Sequence, residues 1–201
     1  RGMEGMDLNF ANGLIALLSV YARSRVTVVL TGEGSDEIFG GYPRHHIVRA
    51  NAVAGHLPHW MRQGAAALLT SLGGRRTRML AAHLPLPFAE AVVLNSAYLS
   101  PALVERLTGT SPRDIMGLRV AEAESLAVPR NPAASISRYD QRAYLPCLLD
   151  RMDRMTMACG LEGRVPFLDV GLAEWASTVP ARYRLGALGN KRVVKRLAER
   201  Y

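Results

Sequence analysis

The chain has 201 residues, of which 49% are hydrophobic, so it is long enough to bury a core of its own. It carries 25 Lys and Arg against 17 Asp and Glu, a formal net charge of +8. Apolar residues are spread over its whole length, without low-complexity tracts or internal repeats. This excludes a disordered chain and favours one domain over residues 1–201.

The positive charge is dispersed, with tight clusters only at Arg75 to Arg78 and at Lys191 to Arg196. Aromatic side chains for base stacking are not interleaved with these residues, so a solvated basic face is favoured over a nucleic-acid surface. No apolar run reaches the roughly 18–20 residues of a membrane span, and no signal peptide opens the chain. We therefore expect no nucleic-acid partner and no membrane partner.

Two cysteines, Cys147 and Cys159, are typical of a cytoplasmic protein with reduced thiols, and neither has the spacing of a zinc ligand. We therefore expect a cytoplasmic location. The chain begins Arg1-Gly2 without an initiator Met and ends at Tyr201 within a helical pattern. We expect it to be a fragment of a longer chain.

In chain order, helical spacing of apolar residues predicts a first helix over residues 9–23. The uncharged, β-branched run 26–31 is typical of a strand that is buried on both faces of a parallel sheet. The rest of the pattern predicts seven to nine helices and a loop at 128–132. Capping residues, prolines and glycines place these helices over 59–72, from Ser100-Pro101 to Gly109, from Ser111-Pro112 onwards, over 139–159 with a break at Pro146, over 171–178 behind an Asp169 cap, and from 190 onwards. The fold class is α/β and mostly helical, with one or two parallel strands followed by a helical region.

A glycine-rich loop follows the predicted strand, with the sequence Gly32-Glu33-Gly34-Ser35-Asp36. In open α/β sheets ligands bind beyond the carboxyl ends of the strands, and glycines let backbone amides approach phosphate oxygens. Because a carboxylate beside a phosphate needs a cation between them, the loop predicts a magnesium–nucleotide or magnesium–phosphate site. From the loop alone, a solvent-exposed acidic turn that caps the next helix is an equal alternative.

Two later segments carry charges within apolar surroundings. Asp150 and Arg154 are four residues apart and can pair along a helix face. Core packing is the default interpretation of the methionines around them. The second segment places three charges in an otherwise apolar turn, where charged groups are buried only when paired: Glu162, Arg164 and Asp169.

Three stretches, in the expected order, resemble the synthetase domain of glutamine-hydrolysing asparagine synthetases and their relatives. They are VVLTGEGSDEIFGGY at 28–42, YLPCLLDRMDRMTMACGLEGRVPFLD at 144–169 and NKRVVKR at 190–196. The resemblance implies the C-terminal part of an adenine-nucleotide alpha-hydrolase-like (ATP pyrophosphatase) domain. It also implies an ATP-dependent amidation of a carboxylate, most often aspartate, through an acyl-adenylate. The implied cofactors are ATP and Mg²⁺, and a separate domain would supply ammonia from glutamine.

The resemblance also assigns roles to individual residues. Asp36 matches the family's magnesium-binding aspartate, and Glu33 matches a catalytic-loop glutamate that orients ammonia and accepts its proton. Lys191, which from its place at a helix start would be a plain surface lysine, matches the lysine that stabilises charge during adenylation. The nucleotide-binding positions implied for the loop are Thr31, Gly32, Gly34, Ser35 and Asp36.

The chain departs from the family pattern in several places. Thr31 stands where serine is usual, and Cys147, Cys159 and Gly163 replace commoner residues, which leaves the acceptor side open. We expect Glu162, Arg164 and Asp169 to be mainly structural, with Arg154 a candidate substrate neighbour. The pyrophosphate-binding Ser-Gly-Gly-x-Asp-Ser loop and the glutaminase domain are absent from the sequence and lie upstream in the family. We therefore expect residues 1–201 alone to be inactive.

Asparagine is the default product, but relatives with the same motifs close β-lactam rings, cyclise peptides or amidate sugars. The sequence does not separate these activities. A degenerate, non-catalytic helical binding domain is an alternative of a different class, and the retention of Glu33, Asp36 and Lys191 argues against it. The full-length enzyme is a candidate homodimer.

Overall fold

Two short strands that are far apart in the sequence lie side by side in a chain that is otherwise helical. The structure, a computed structural model, describes residues 10–97, 99, 101–184 and 191–200. The strands are β1 (Val28–Leu30) and β2 (Glu162–Arg164). The α-helices are α1 (Phe10–Arg23), α2 (Ser35–Phe39), α3 (Arg44–Ala54), α4 (His59–Ser71), α5 (Arg75–His83), α6 (Phe88–Ser96), α7 (Pro101–Thr108), α8 (Pro112–Ser125), α9 (Pro132–Tyr139), α10 (Leu145–Met157), α11 (Val170–Thr178), α12 (Ala181–Arg184) and α13 (Arg192–Ala198). A π-helical turn, Asp140–Tyr144, connects α9 to α10, and a 3-10 turn, Pro166–Leu168, follows β2.

The two strands are parallel, with Val29 opposite Gly163 in the register. This pairing confirms the α/β, mostly helical fold class. The interpretation of the β2 segment as a charged turn is wrong, because residues 162–164 pair with β1 as a strand. A strand of three residues with glycine at its centre has almost no hydrophobic pattern by which it could be found. Its two charges, Glu162 and Arg164, pair with each other at 2.8 Å on the exposed side of the strand.

The prediction that β1 is buried on both faces is also wrong for the described residues, because Leu30 is 73% exposed. Helix α10 covers only one face of the strand pair. A Cβ at Gly163 would lie 3.3 Å from Met152 Cε, so the absence of a side chain there lets α10 approach β2 closely. Val28 and Leu30 point to the opposite face.

Most predicted helices are present with boundaries shifted by a few residues. The helix predicted over 59–72 is α4, and the stretch 139–159 is divided at the π-helical turn, with Pro146 in the first turn of α10. Asn131 caps α9, and Asp169 caps α11 by accepting a 3.0 Å hydrogen bond from Leu172 N. The proposed Ser100 cap lies outside the described residues. Within the described part of the chain, twelve α-helices follow β1 rather than seven to nine, because short helices such as α2 and α12 carry too few residues to show a period.

Two hydrophobic clusters hold the helical region together. The larger one joins α3, α6, α8 and α9 and contains Val48, Val92, Ile136 and Tyr139, all at most 3% exposed. The smaller one joins α2 to α11, the 3-10 turn and α13, and contains Ile38, Phe39, Ala176, Phe167, Leu168, Leu172 and Val194. The smaller cluster matters for the site, since it fixes α2 and α13 against the same apolar residues. Among the described residues, no helix is both long and apolar enough to cross a membrane.

Candidate active site

The loop after β1 is shaped by one glycine with a left-handed backbone. Thr31 N donates to Arg164 O at 2.8 Å and so extends the strand pairing by one residue into the loop. Gly34 has φ of 84°, and a Cβ there would overlap the Leu168 side chain. Only glycine combines this conformation with so close an approach. The loop therefore turns tightly over the 3-10 segment and begins α2 at Ser35.

Lys191 is brought to this loop from the far end of the chain. Its ammonium donates to Asp36 Oδ1 at 2.9 Å and to Ser35 Oγ at 2.8 Å. Both charged side chains remain accessible, at 26% exposed for Lys191 and 35% for Asp36. Three residues that the sequence analysis assigned to nucleotide binding and catalysis thus meet at one point.

The backbone around this contact is strained and crowded. Lys191 has φ of 54°, a left-handed conformation that a non-glycine residue adopts at a cost on the order of 1–2 kcal/mol. A Cβ at Gly41 would overlap both the Asp36 carboxylate and the Lys191 Cε. Gly41 is therefore the position at which a side chain would exclude the ion pair.

Glu33 makes a different set of contacts. Its Oε1 lies 3.7 Å from Nη2 of Arg151 on α10, and the two side chains are 25% and 20% exposed. Nε of Arg151 is buried and has no hydrogen-bond partner. The guanidinium therefore has a remaining donor close to the predicted catalytic glutamate.

Arg151 was missed by the sequence analysis, which named Arg154 as a substrate neighbour. Arg154 instead pairs with Asp150 at 2.9 Å, as predicted, and both side chains are more than half exposed. A signal for Arg151 existed: it follows Leu148 by three residues and precedes Met155 by four, and both of these are buried. Helical spacing therefore places Arg151 beside the inward face of α10.

A cavity of about 430 Å³ opens beside Glu33. Thr31, Gly32 and Glu33 line it from the loop, and Thr31 Oγ1 donates to Met152 Sδ at 3.2 Å. The rest of the lining is mostly apolar and comes from α1, β1 and α10, with Leu161: Ile15, Leu18, Ser19, Ala22, Val29, Met152, Thr156 and Leu161. Glu33 is the one charged residue of this lining, which is otherwise of low polarity.

The magnesium prediction rests on Asp36 alone. Within the part of the chain that the structure describes, no group of three or more His, Cys, Asp or Glu side chains converges as a metal site. Mg²⁺ in nucleotide sites is commonly held by one or two carboxylates together with substrate phosphates. A partly exposed aspartate at the start of α2 fits that donor set as one ligand.

Glu37, the neighbour of Asp36, is a buried residue of α2. It is 1% exposed and accepts a hydrogen bond from the Tyr42 hydroxyl. Burial raises the pKa of the Glu37 carboxyl, while the bond from Tyr42 lowers it by less. Burial likewise raises the pKa of Tyr42, so the phenol keeps the proton that it donates. The Glu37 carbonyl accepts from Ser137 Oγ at 2.6 Å and from Gln141 Nε2 at 3.3 Å, which ties α2 to the helical region.

A second buried network lies behind Tyr42 and centres on Asp140, which is fully buried. Its carboxylate contacts His45 Nε2 at 2.7 Å, Ser96 Oγ at 3.2 Å and Arg44 Nη2 at 3.3 Å. Arg44 also lies over the Tyr42 ring, 4.2 Å from its centroid. No role for these residues was predicted from the sequence, because no local pattern connects an aspartate to a histidine 95 residues away.

Comparison with known proteins gives one family and several curated relatives. The family model for asparagine synthase matches residues 10–201. A Mycobacterium tuberculosis (strain H37Rv) protein named "putative asparagine synthetase (glutamine-hydrolyzing)" is 32% identical over 185 residues, which cover 89% of this chain and 28% of that protein. Asparagine synthetase (glutamine-hydrolyzing) 1 of Bacillus subtilis (strain 168) is 26% identical over 187 residues, which cover 89% of this chain and 29% of that protein. The chain thus spans less than a third of the length of these relatives. No solved structure matches the chain.

Proposed function

The chain belongs to the asparagine synthase family, and on that premise we propose that it carries part of the synthetase site of an ATP-dependent amide-forming ligase. The proposed reaction converts a carboxylate, by default aspartate, into its amide through an acyl-adenylate. Glutamine is the proposed source of ammonia. The observation that carries the proposal is the contact of Lys191 with both Ser35 and Asp36 at the carboxyl end of β1.

In the first step, a carboxylate oxygen of the acceptor attacks the α-phosphorus of ATP, and the bond from that phosphorus to pyrophosphate breaks. Negative charge grows on the phosphate oxygens as this happens. The Lys191 ammonium, which is already held at the loop by two hydrogen bonds, is placed to stabilise that charge. Asp36 would hold Mg²⁺, which when bound neutralises phosphate charge. Gly32 and Gly34 leave the loop backbone open to the nucleotide.

In the second step, ammonia attacks the acyl carbon, the acyl–oxygen bond to AMP breaks, and the nitrogen loses a proton. Glu33 is the proposed acceptor of this proton, since it is the one charged residue that lines the mostly apolar cavity. Arg151 is the proposed positioning residue for Glu33, because its guanidinium lies 3.7 Å from Oε1.

The test is pyrophosphate release by the full-length protein with ATP, Mg²⁺, ammonia and a panel of carboxylates that includes aspartate. Release that depends on aspartate, together with asparagine and AMP, supports the whole proposal. Release of pyrophosphate only with a different carboxylate supports the proposed adenylation chemistry but shows that the acceptor is not aspartate. No release with any acceptor, by a folded protein, contradicts the proposal and favours a non-catalytic binding domain.

Lys191 provides a sharper test of the assigned role. We expect Lys191→Ala to lower pyrophosphate release on the order of 100–1,000-fold, as is typical for loss of one preorganised group that stabilises transition-state charge. The matched control is Lys195→Ala, which removes an exposed lysine one helical turn further on in α13. Equal activity of both variants would refute the role given to Lys191.

A further inference from the structure

Residues 38–89 form a basic segment without a single acid. This segment contains no Asp or Glu, but it contains six arginines and all five histidines of the chain. It includes α4 and α5, neither of which contributes a residue to the contacts described above, and α3, which contributes Arg44 and His45 to the buried network around Asp140. A stretch of 52 residues with one sign of charge attracts anionic partners over a wide area.

Helix α4 presents an uncharged outer face within this segment. None of its residues is buried, and it packs mainly against α5. Its outer face is defined by Trp60, Met61, Gly64, Leu68 and the adjoining Leu72. Three of these side chains are more than 60% exposed: Trp60 at 73%, Leu72 at 67% and Leu68 at 62%.

The one arginine of α4 is turned away from this face. Arg62 Nη1 lies within 3.4 Å of the carbonyl oxygens of Leu84, Pro85 and Leu86, which connect α5 to α6. The inward stripe of α4 is completed by Ala66 and Leu69, both of which are partly buried. The helix is therefore held from one side and leaves its tryptophan and leucines in solvent.

Basic residues follow the apolar face directly. Helix α5 begins at Arg75, four residues after the last residue of α4, and its first residues include three exposed arginines: Arg75, Arg76 and Arg78. Exposed Trp and Leu beside a group of arginines is the composition of surfaces that lie on anionic membranes, where apolar side chains enter the interface and cations meet the headgroups. We propose that the α4 outer face, with Arg75, Arg76 and Arg78, docks the protein peripherally on an anionic lipid surface.

Two other occupants fit less well. A second copy of this face would bring its arginines against those of the first, with no acid between residues 38 and 89 to pair with them. Nucleic acid would meet the arginines, but Leu68 and Leu72 would then lie against phosphates with no polar contact to offer. A lipid surface accommodates both the apolar side chains of α4 and the adjoining arginines. The expectation of no membrane partner rested on the absence of a spanning segment, which a peripheral surface does not need.

The experiment is sedimentation of the full-length protein with vesicles of phosphatidylcholine mixed with phosphatidylglycerol, and with vesicles of phosphatidylcholine alone. We expect binding to the anionic vesicles only, and a loss of binding as salt is raised. Absence of vesicle binding at low salt overturns the proposal. This holds also if the reason is that another part of the full-length protein covers α4. Equal binding to a short DNA duplex, or concentration-dependent self-association without lipid, overturns it in favour of those partners.

Variants separate charge from apolar insertion. The triple variant Arg75→Ala, Arg76→Ala, Arg78→Ala should weaken binding on the order of 100-fold. Its control removes three exposed cations elsewhere, Lys195→Ala, Arg196→Ala and Arg200→Ala, and should leave binding unchanged. An equal loss in both would show only a general charge effect and would contradict the proposed face.

The contribution of the apolar side chains is tested with the double variant Trp60→Gln, Leu68→Gln, which should weaken vesicle binding at least about 10-fold. Thermal unfolding should show that the variant is folded, since neither side chain is buried. Pyrophosphate release should be unchanged, because this face is separate from the Lys191 and Glu33 contacts. Undiminished vesicle binding by this folded variant would also contradict the proposal. The docking proposal does not depend on the proposed reaction, and either can fail alone.

Discussion

The ammonium of Lys191 lies 2.9 Å from Asp36 Oδ1 and 2.8 Å from Ser35 Oγ. Lys191 and Ser35 are 156 positions apart in the sequence. No local element brings them together. The contact depends on α2 and α13, which pack against the same cluster around Phe39 and Val194. A site of this kind is sensitive to changes that move either helix or fill the space between them.

Gly41 is a position where a single added methyl group would fill the space between the Asp36 and Lys191 side chains. We predict that Gly41→Ala lowers pyrophosphate release at least about 10-fold, because its Cβ would overlap the Asp36 carboxylate and the Lys191 side chain. The control is Gly117→Ala in the middle of α8, where a Cβ meets no atom within 4 Å. That change should keep activity and raise the free energy of unfolding by about 0.5–1 kcal/mol. Full activity of Gly41→Ala would contradict the geometry of the ion pair.

Arg151 is predicted to affect the second step of the proposed reaction more than the first. Without its guanidinium, the Glu33 carboxylate loses a partner at 3.7 Å and its orientation beside the cavity. For Arg151→Met we expect pyrophosphate release to persist while amide formed per pyrophosphate falls on the order of 10–100-fold. Arg154→Met, on the exposed side of the same helix, should leave the ratio unchanged. Parallel loss of both products in Arg151→Met would point to a structural role instead.

Asp140 is predicted to be the most costly single carboxylate to remove. Asp140→Asn leaves His45 and Arg44 facing an uncharged group in a fully buried site, and breaking such a pair costs about 3–5 kcal/mol. Denaturant unfolding measures the loss. The matched change Asp150→Asn breaks an exposed pair with Arg154 and should cost less than about 0.5 kcal/mol. Similar losses in the two variants would show that the buried network contributes little.

Glu37 should give the stability of the protein a pH dependence of definite sign. Burial raises the pKa of this carboxyl above its ordinary value of 4.5, so the folded state holds the proton more tightly than the unfolded state does. The contribution of Glu37 is therefore complete below the ordinary pKa and is lost as pH rises through the raised pKa, at about 1.4 kcal/mol per pH unit between the two. We expect unfolding of Glu37→Gln to lack this component, since an amide does not titrate.

The measurement is the difference in unfolding free energy between wild type and Glu37→Gln over a series of pH values from 4 upwards. The difference should move in favour of the variant as pH rises. A difference that is constant with pH would mean that the buried carboxyl titrates normally.

Local sequence patterns were sufficient to predict the helices with clear caps and the loop after β1. Asp169, for example, caps α11 because an aspartate side chain before a helix accepts a hydrogen bond from the first turn, and this needs only neighbouring residues. Strand β2 was missed for the opposite reason. Glu162-Gly163-Arg164 has no hydrophobic alternation, and it becomes a strand only because β1 lies beside it.

The sequence by itself determined the fold class, the family resemblance and the residue types of the loop, since these depend on short-range patterns and on motif order. Only the tertiary structure decided that Lys191 bonds to Asp36 and Ser35, that Arg151 rather than Arg154 lies beside Glu33, and that Asp140 gathers His45 and Arg44. Each of these contacts joins segments that are far apart in the sequence. The reason is physical: which side chains meet across a core depends on how whole helices pack, and no window of neighbouring residues contains that information.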